Sequence, residues 1–303
     1  MTRVYRLFIL IFVASYSFSA MASDHRHTTT NSYYDGAFDC SRVRSTFDDE
    51  ETVRGEQEFT LTAAQVPQLQ VDSTIGGIEV RGWDGADYHI RACKTAGGAT
   101  VPEAQQHLQQ IRVEVASGRV SVRGPGEEGQ SWSVYLLVQA PRNANIDLKT
   151  TNGPISLTDL SGKITAQTTN GPLSIKDCSG EVNASAHNGP ISLRGSTGDI
   201  HAQTQNGPIS VALTGTAWQG PGLEAHAQNG PVSLSMPENF QSGVIVQTDG
   251  HSPMSCKASV CSNARKTWDE GYRRIELGSG TPAVKLSTVN GPASVHTDSQ
   301  GDL

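Results

Sequence analysis

The stretch Thr150-Thr151-Asn152-Gly153-Pro154-Ile155-Ser156-Leu157 returns almost residue for residue as Thr168-Thr169-Asn170-Gly171-Pro172-Leu173-Ser174-Ile175. It returns again as Ala186-His187-Asn188-Gly189-Pro190-Ile191-Ser192-Leu193. Asn-Gly-Pro recurs at Asn206, Asn229 and Asn290, and the first four copies are spaced by 18 residues. A fixed period of this length marks a repeat architecture, in which each unit buries its apolar face only against its neighbours.

Aligned on the asparagines, the copies form columns. Six positions before Asn stand Ile146, Ile164, Val182, Ile200, Leu223 and Val284, and four before it Leu148, Ala166, Ala184, Ala202, Ala225 and Leu286. Two before it the residues are small, from Thr150 and Thr168 to Thr288. After the turn, Ile155, Leu173, Ile191, Ile209, Val232 and Ala293 occupy the third position, and Leu157, Ile175, Leu193, Val211, Leu234 and Val295 the fifth. Apolar sites two apart share one face of an extended chain, so each repeat holds two short half-buried strands around an Asn-Gly corner.

Asn-Gly between strands is a strong hairpin signal. Proline argues against it here, because a two-residue hairpin needs the N–H that proline lacks. The sequence therefore predicts an all-β, single-stranded solenoid of stacked Asn-Gly-Pro coils, about 4.8 Å apart. The corner asparagines 152, 170, 188, 206, 229 and 290 are placed to form an amide ladder. A meander or sandwich with looped turns is the competing arrangement. The alanine column brings the two faces close together, so binding is expected on an outer face, a corner or an insertion.

A diverged copy precedes the array. Leu69, Val71 and Ser73 lead into Ile75-Gly76-Gly77, with Ile75 in the asparagine column. Residues 102–111 suit a short helix with Pro102 in its first turn. The expected organisation is a signal peptide (1–22), a polar, loosely ordered leader (23–55), a diverged β part (56–140), the regular solenoid (141–297) and a tail (298–303). Two insertions, 214–222 and 237–280, interrupt the solenoid.

Arg3 and Arg6, the apolar run Leu7 to Val13 and the small-x-small site Ala20-Met21-Ala22 read as a cleavable secretory signal, cut near Ala22-Ser23. The predicted location is thus secreted, periplasmic or cell-envelope, with no transmembrane segment in the mature chain. Loss of Arg3 and Arg6 takes the net charge from −7 to −9. That balance disfavours nucleic acid and anionic membrane as partners. All five cysteines lie beyond the signal peptide, in a compartment that permits disulfides. Cys256 with Cys261 and Cys40 with Cys93 are the pairings expected first, leaving Cys178, although sequence alone does not fix the connectivity.

With these repeats in view, the chain resembles the bacterial secreted "putative adhesin" β-solenoid repeat domains of unknown function. The resemblance runs from about Phe59 to Thr297. It includes the early segment Ile75-Gly76-Gly77-Ile78-Glu79-Val80-Arg81-Gly82-Trp83-Asp84-Gly85 and the later Thr-Asn-Gly-Pro-Ile-Ser-Leu stretches. It implies an architecture and no catalytic residues. Repeats of this type often carry Asp after Asn-Gly. Proline there removes an acidic ladder and stiffens the corner.

The outward column four residues after each Asn is serine: Ser156, Ser174, Ser192, Ser210, Ser233 and Ser294. With Gln167 and Gln203 on the other strand, it is a candidate face for a repetitive ligand such as a polysaccharide, or for another envelope or surface protein. The alternative is that these residues only solvate a β face. An ice-binding face would want uniform threonine columns, which are absent. Trp218, Trp268 and Tyr272 in the insertions are candidate loop contacts or parts of a cap over the open end. Asp147, Asp199, Glu224 and Lys285 are scattered, and His187, His201 and His226 do not define a metal site. No catalytic residue, metal or cofactor is assigned. The expected function is a non-enzymatic, adhesin-like interaction module; the alternatives are a carbohydrate-polymer-active enzyme and a structural envelope scaffold.

Overall fold

The computed structural model describes residues 28–32, 38–47, 49–125, 131–249, 252–257 and 259–297. The expected signal peptide and tail lie outside the described residues. The strands before each corner (Ile146–Asn152, Lys163–Asn170, Glu181–Asn188, Thr197–Asn206 and Gln219–Asn229) stack in parallel within a twelve-stranded sheet. Those after it (Ile155–Thr158, Leu173–Lys176, Ile191–Gly195, Ile209–Leu213 and Val232–Met236) stack within an eleven-stranded sheet. Register follows the sequence columns, with Ile146 beside Ile164, Ile164 beside Val182 and Val182 beside Ile200. The fold is a β-solenoid, and the apolar columns form the core between the sheets: Ile164, Ala166, Leu173 and Leu234 are each 0 % exposed.

The corner explains its own sequence. Gly153 N–H donates to the Asn170 carbonyl and Ile155 N–H to the Pro172 carbonyl, both at 2.9 Å. Proline falls between the two donors, so its missing N–H costs the ladder nothing. Glycine is required because the coils nearly touch there: a Cβ on Gly171 would lie 2.1 Å from the Gly153 carbonyl oxygen. Outside the corner, the asparagine side chains form a continuous amide ladder, each Nδ2 donating to the previous Oδ1 at 2.9–3.0 Å from Asn170 through Asn290. Inside it, the hydroxyls of Thr150, Thr168, Thr204 and Thr288 donate to the Gly76, Gly153, Gly189 and Gly230 carbonyls.

Stacking order departs from chain order at both ends. The Ile75 coil (Leu69–Ile75, Ile78–Trp83) pairs with the Asn152 coil on one side. On its other side lies a coil built from Arg119–Arg123 and Trp132–Pro141, although that chain falls between the two. At the far end, Ser242–Asp249 and Met254–Cys256 form an outermost coil, and the last repeat (Ser279–Asn290, Ala293–Thr297) lies between it and the Asn229 coil. Residues 237–280 are therefore more than an insertion: they supply a full coil. The antiparallel hairpin Arg265–Trp268/Tyr272–Leu277 then extends the twelve-stranded sheet beyond it. Cys256 and Cys261 are joined beside this coil.

The expectation of a loosely ordered leader is corrected for residues 38–47 and 49–55. Cys40 is bonded to Cys93, and Val43–Phe47 follows it as a strand paired antiparallel with Thr28–Ser32. Val43, Cys93, Tyr135 and Leu137 form a second small core, with Phe38 and Cys40 packed against it. Glu79, 1 % exposed, pairs with Arg42 and Arg81, and both guanidinium groups lie over the Phe38 ring. Glu51–Thr62 is an edge strand of the eleven-stranded sheet. The α-helix Val101–Gln110 is capped by the Thr100 hydroxyl. The expected 214–222 insertion is shorter than it looked, because the strand Gln219–Asn229 begins inside it.

Candidate functional site

On each pre-corner strand the residues alternating with the buried columns face away from the core. Their outer face on the twelve-stranded sheet forms a groove of about 880 Å³ that runs from Arg119 and Asp72 to His226 and Gln228. It crosses seven coils, a length of roughly 30 Å at the usual strand spacing. Two columns floor it: Lys149, Gln167, Ser185, Gln203 and His226, and beside them Thr151, Thr169, His187, Gln205 and Gln228. Charge is confined to one end and neutralised there, Arg119 by Asp72 and Lys149 by Asp147 at 3.9 Å. The middle presents amides, hydroxyls and imidazoles.

A second hollow of about 450 Å³ shares Gln167, Ser185, Gln203 and His226 and adds Thr165, Asn183, His201, Glu224 and Ser287. Here His226 Nδ1 lies 2.9 Å from the Ser287 hydroxyl. His201 is held between Asp199 (3.2 Å) and Glu224 (3.7 Å). Scattered in sequence, these two carboxylates meet at one imidazole. The convergence is invisible in the chain because Asp199 and His201 lie on one strand and Glu224 beside them on the next, after an irregular loop that breaks the period. Among the described residues no group of three His, Cys, Asp or Glu side chains is placed to hold a metal ion.

The residues singled out from sequence do not form one face. Gln167 and Gln203 lie in the groove, whereas Ser156, Ser174, Ser192, Ser210 and Ser233 run along the eleven-stranded sheet, on the opposite side of the solenoid. Ser156 is buried, and Ser192 and Ser210 are exposed. Trp218 is no surface contact: it is 6 % exposed, with its indole N–H bonded to the Gly198 carbonyl at 3.0 Å. Trp268, 55 % exposed, and half-buried Tyr272 lie on the outermost hairpin, with Arg273 5.9 Å from the Trp268 ring centre. Cys178 is buried and unpaired, and burial pushes its thiol up to about 11, so it is protonated at neutral pH.

Sequence reasoning also missed a small aromatic hollow of about 270 Å³ on the eleven-stranded sheet, lined by Phe38, Phe59, Trp83, His89 and Arg91. Trp83 and His89 meet edge to face at 4.8 Å. It joins stretches around Phe38, Phe59 and Trp83 to Arg91 that are separated in sequence, and the only signal was their aromatic residues.

No curated protein matches this chain. Among solved structures, a "putative cell adhesion protein" from Clostridium sporogenes ATCC 15579 is 9 % identical, over 81 % of this chain and 99 % of its own, with a TM-score of 0.34. A "putative adhesin" from Bacteroides fragilis NCTC 9343 is also 9 % identical, over 80 % and 97 %, with a TM-score of 0.36. A "putative lipid binding protein" from Parabacteroides distasonis ATCC 8503 is 12 % identical, over 80 % and 96 %, with a TM-score of 0.31. At these identities the likeness says nothing about a shared activity. Residues 94–291, from the strand that carries Cys93 to the last Asn-Gly corner, match a family profile, and the chain belongs to the Toastrack DUF4097 family.

Proposed function

We propose that this protein is an exported, adhesin-like module of the cell envelope or surface, whose groove on the twelve-stranded sheet holds an extended carbohydrate polymer. The observation that carries the reading is the groove itself: uncharged in its middle, floored by side chains repeated once per coil, and roughly 30 Å long at the strand spacing. A polymer lying along the solenoid axis would meet one new pair of hydrogen-bonding side chains at each coil. The rigid corner ladder fixes their spacing before the ligand arrives, which reduces the ordering cost of binding. The purified chain should be retained by insoluble polysaccharides, with no sugar released into the supernatant. Absence of retention on any polysaccharide or envelope fraction would return the groove to a solvated face and favour a structural scaffold.

A second reading, an enzyme acting on a carbohydrate polymer, is favoured by the Asp199–His201–Glu224 cluster beside that groove. Glycosidic cleavage uses a pair of carboxylates across the scissile bond, and the imidazole here occupies the space between them. Release of soluble sugar that disappears in Glu224→Gln would establish it.

A further inference from the structure

The last repeat occupies a slot whose two walls are made by earlier chain. Ser279–Asn290 pairs with Gln219–Asn229 on one side and with Ser242–Asp249 on the other. Ala293–Thr297 lies in the same way between Val232–Met236 and Met254–Cys256. The slot pairs this segment on both sides from Val284 to Thr288 and from Ala293 to Val295. Val284, Leu286, Ala293 and Val295 are at most 2 % exposed, the Thr288 hydroxyl reaches the Gly230 carbonyl, and Asn290 extends the amide ladder to Asn229. Lys285 stands opposite Glu224 on the outer face, an opposite-charge pair that favours this register. None of these interactions depends on the strand belonging to the same molecule.

The covalent link that makes it so is short. Leu277 ends the hairpin and Ser279 begins the next strand, so one residue, Gly278, carries the chain across the end of the intervening strand. Gly278 and Gly280 have φ of 71° and 80°, in the region that favours glycine, and a Cβ on Gly278 would lie 2.3 Å from the Ser242 carbonyl oxygen. A short connection between elements that pack well is the circumstance in which an identical element is exchanged between copies, because the exchanged segment keeps the same packing.

From this we infer that the protein's partner at this end is a second copy of itself. Residues 279–297 of each copy fill the slot of the other, with Gly278 and Gly280 as the hinge. Reciprocal exchange gives a closed pair that displays two grooves, which would raise the avidity of a surface-binding module.

Ser233 and Ser294 are neighbours across the slot boundary, in direct register. The full chain carrying Ser233→Cys and a second preparation carrying Ser294→Cys are unfolded together in acidic guanidinium without reductant, where the free thiols, Cys178 included, stay protonated and leave the two native disulfides unshuffled, and then refolded by dilution. Exchange places the two new thiols on adjacent strands, within the Cα separation that a disulfide tolerates. A control mixture pairs Ser294→Cys with Ser192→Cys, which lies two coils further along the array. The expected result is a covalent heterodimer several-fold more abundant in the first mixture than in the control, and more abundant still when both chains carry Gly280→Pro. Equal yields in the two mixtures would overturn the proposal.

Discussion

The middle of the array and its two ends are built from the same columns but obey different rules. Between Asn152 and Asn229 each coil stacks on the one before it in sequence, every corner repeats glycine, and asparagine ladders run without a break. In the Ile75 coil and in the outermost coil the apolar columns persist while the Asn-Gly-Pro motif disappears. Ile75 stands where asparagine would, and Val244, Val246 and Thr248 continue the inner columns with no Asn-Gly-Pro after them. There the chain skips a coil and returns. The inner threonine column shows the same contrast, because Ser73 and Thr248 in the end coils have buried hydroxyls with no hydrogen-bond partner among the described residues. The apolar pattern is enough to define what is a coil. The corner motif is what ties one Asn-Gly-Pro coil to the next, even where another coil intervenes in sequence, as between Asn229 and Asn290.

The middle and the ends should differ most in the core. Ile191→Asp buries an unpaired carboxylate in the middle of the array, a cost of several kcal/mol, and should abolish cooperative unfolding in a urea titration. Val246→Asp places the same charge in the outermost coil. In a solenoid, stability passes between nearest neighbours, so that variant should keep a folded middle and show a separate, earlier transition for the end. Identical unfolding curves for the two variants would remove the distinction between middle and ends.

The corner gives a smaller contrast. Gly171→Ala forces a methyl against the Gly153 carbonyl, backbone against backbone, and should cost about 3 kcal/mol or more. Gly280→Ala meets nothing within 4 Å and should cost only the left-handed backbone term, about 1–2 kcal/mol. Thr168→Val should lose about 1 kcal/mol because it leaves the Gly153 carbonyl short of a donor. Thr248→Val, which removes an unsatisfied hydroxyl, should be neutral or stabilising. Opposite signs for these two threonines in thermal melts would confirm that the inner ladder stops at the last regular coil. Ser192→Ala, on an exposed strand position, should change stability by less than about 0.5 kcal/mol.

Much of the solenoid was legible because its period is written in the sequence: columns, corner and amide ladder follow from spacing two apart and from a proline that forbids a hairpin. The out-of-order end coils were not, since a strand's place in a stack is a tertiary choice and Val244 to Thr248 carries no mark that a later segment will lie inside it. The candidate face was half legible. Outward columns could be enumerated, but spacing alone did not separate the serine column from the Gln167 and Gln203 column on the opposite sheet. The pairing of Asp199 and Glu224 with His201 was hidden by the irregular loop before Gln219. Trp218 was misread because a Gly/Pro-rich loop suggested exposure, whereas its indole finds a backbone carbonyl inside the fold.

The most direct test of the binding account is polysaccharide retention by two paired variants. Gln167→Ala/Gln203→Ala alters the groove floor, and Ser192→Ala/Ser210→Ala alters the opposite sheet. At about 1 kcal/mol per hydrogen bond, the groove variant should lose at least tenfold in affinity, and the serine variant should bind like the unmodified chain. Equal retention by the two variants, or loss confined to the serine variant, would contradict it.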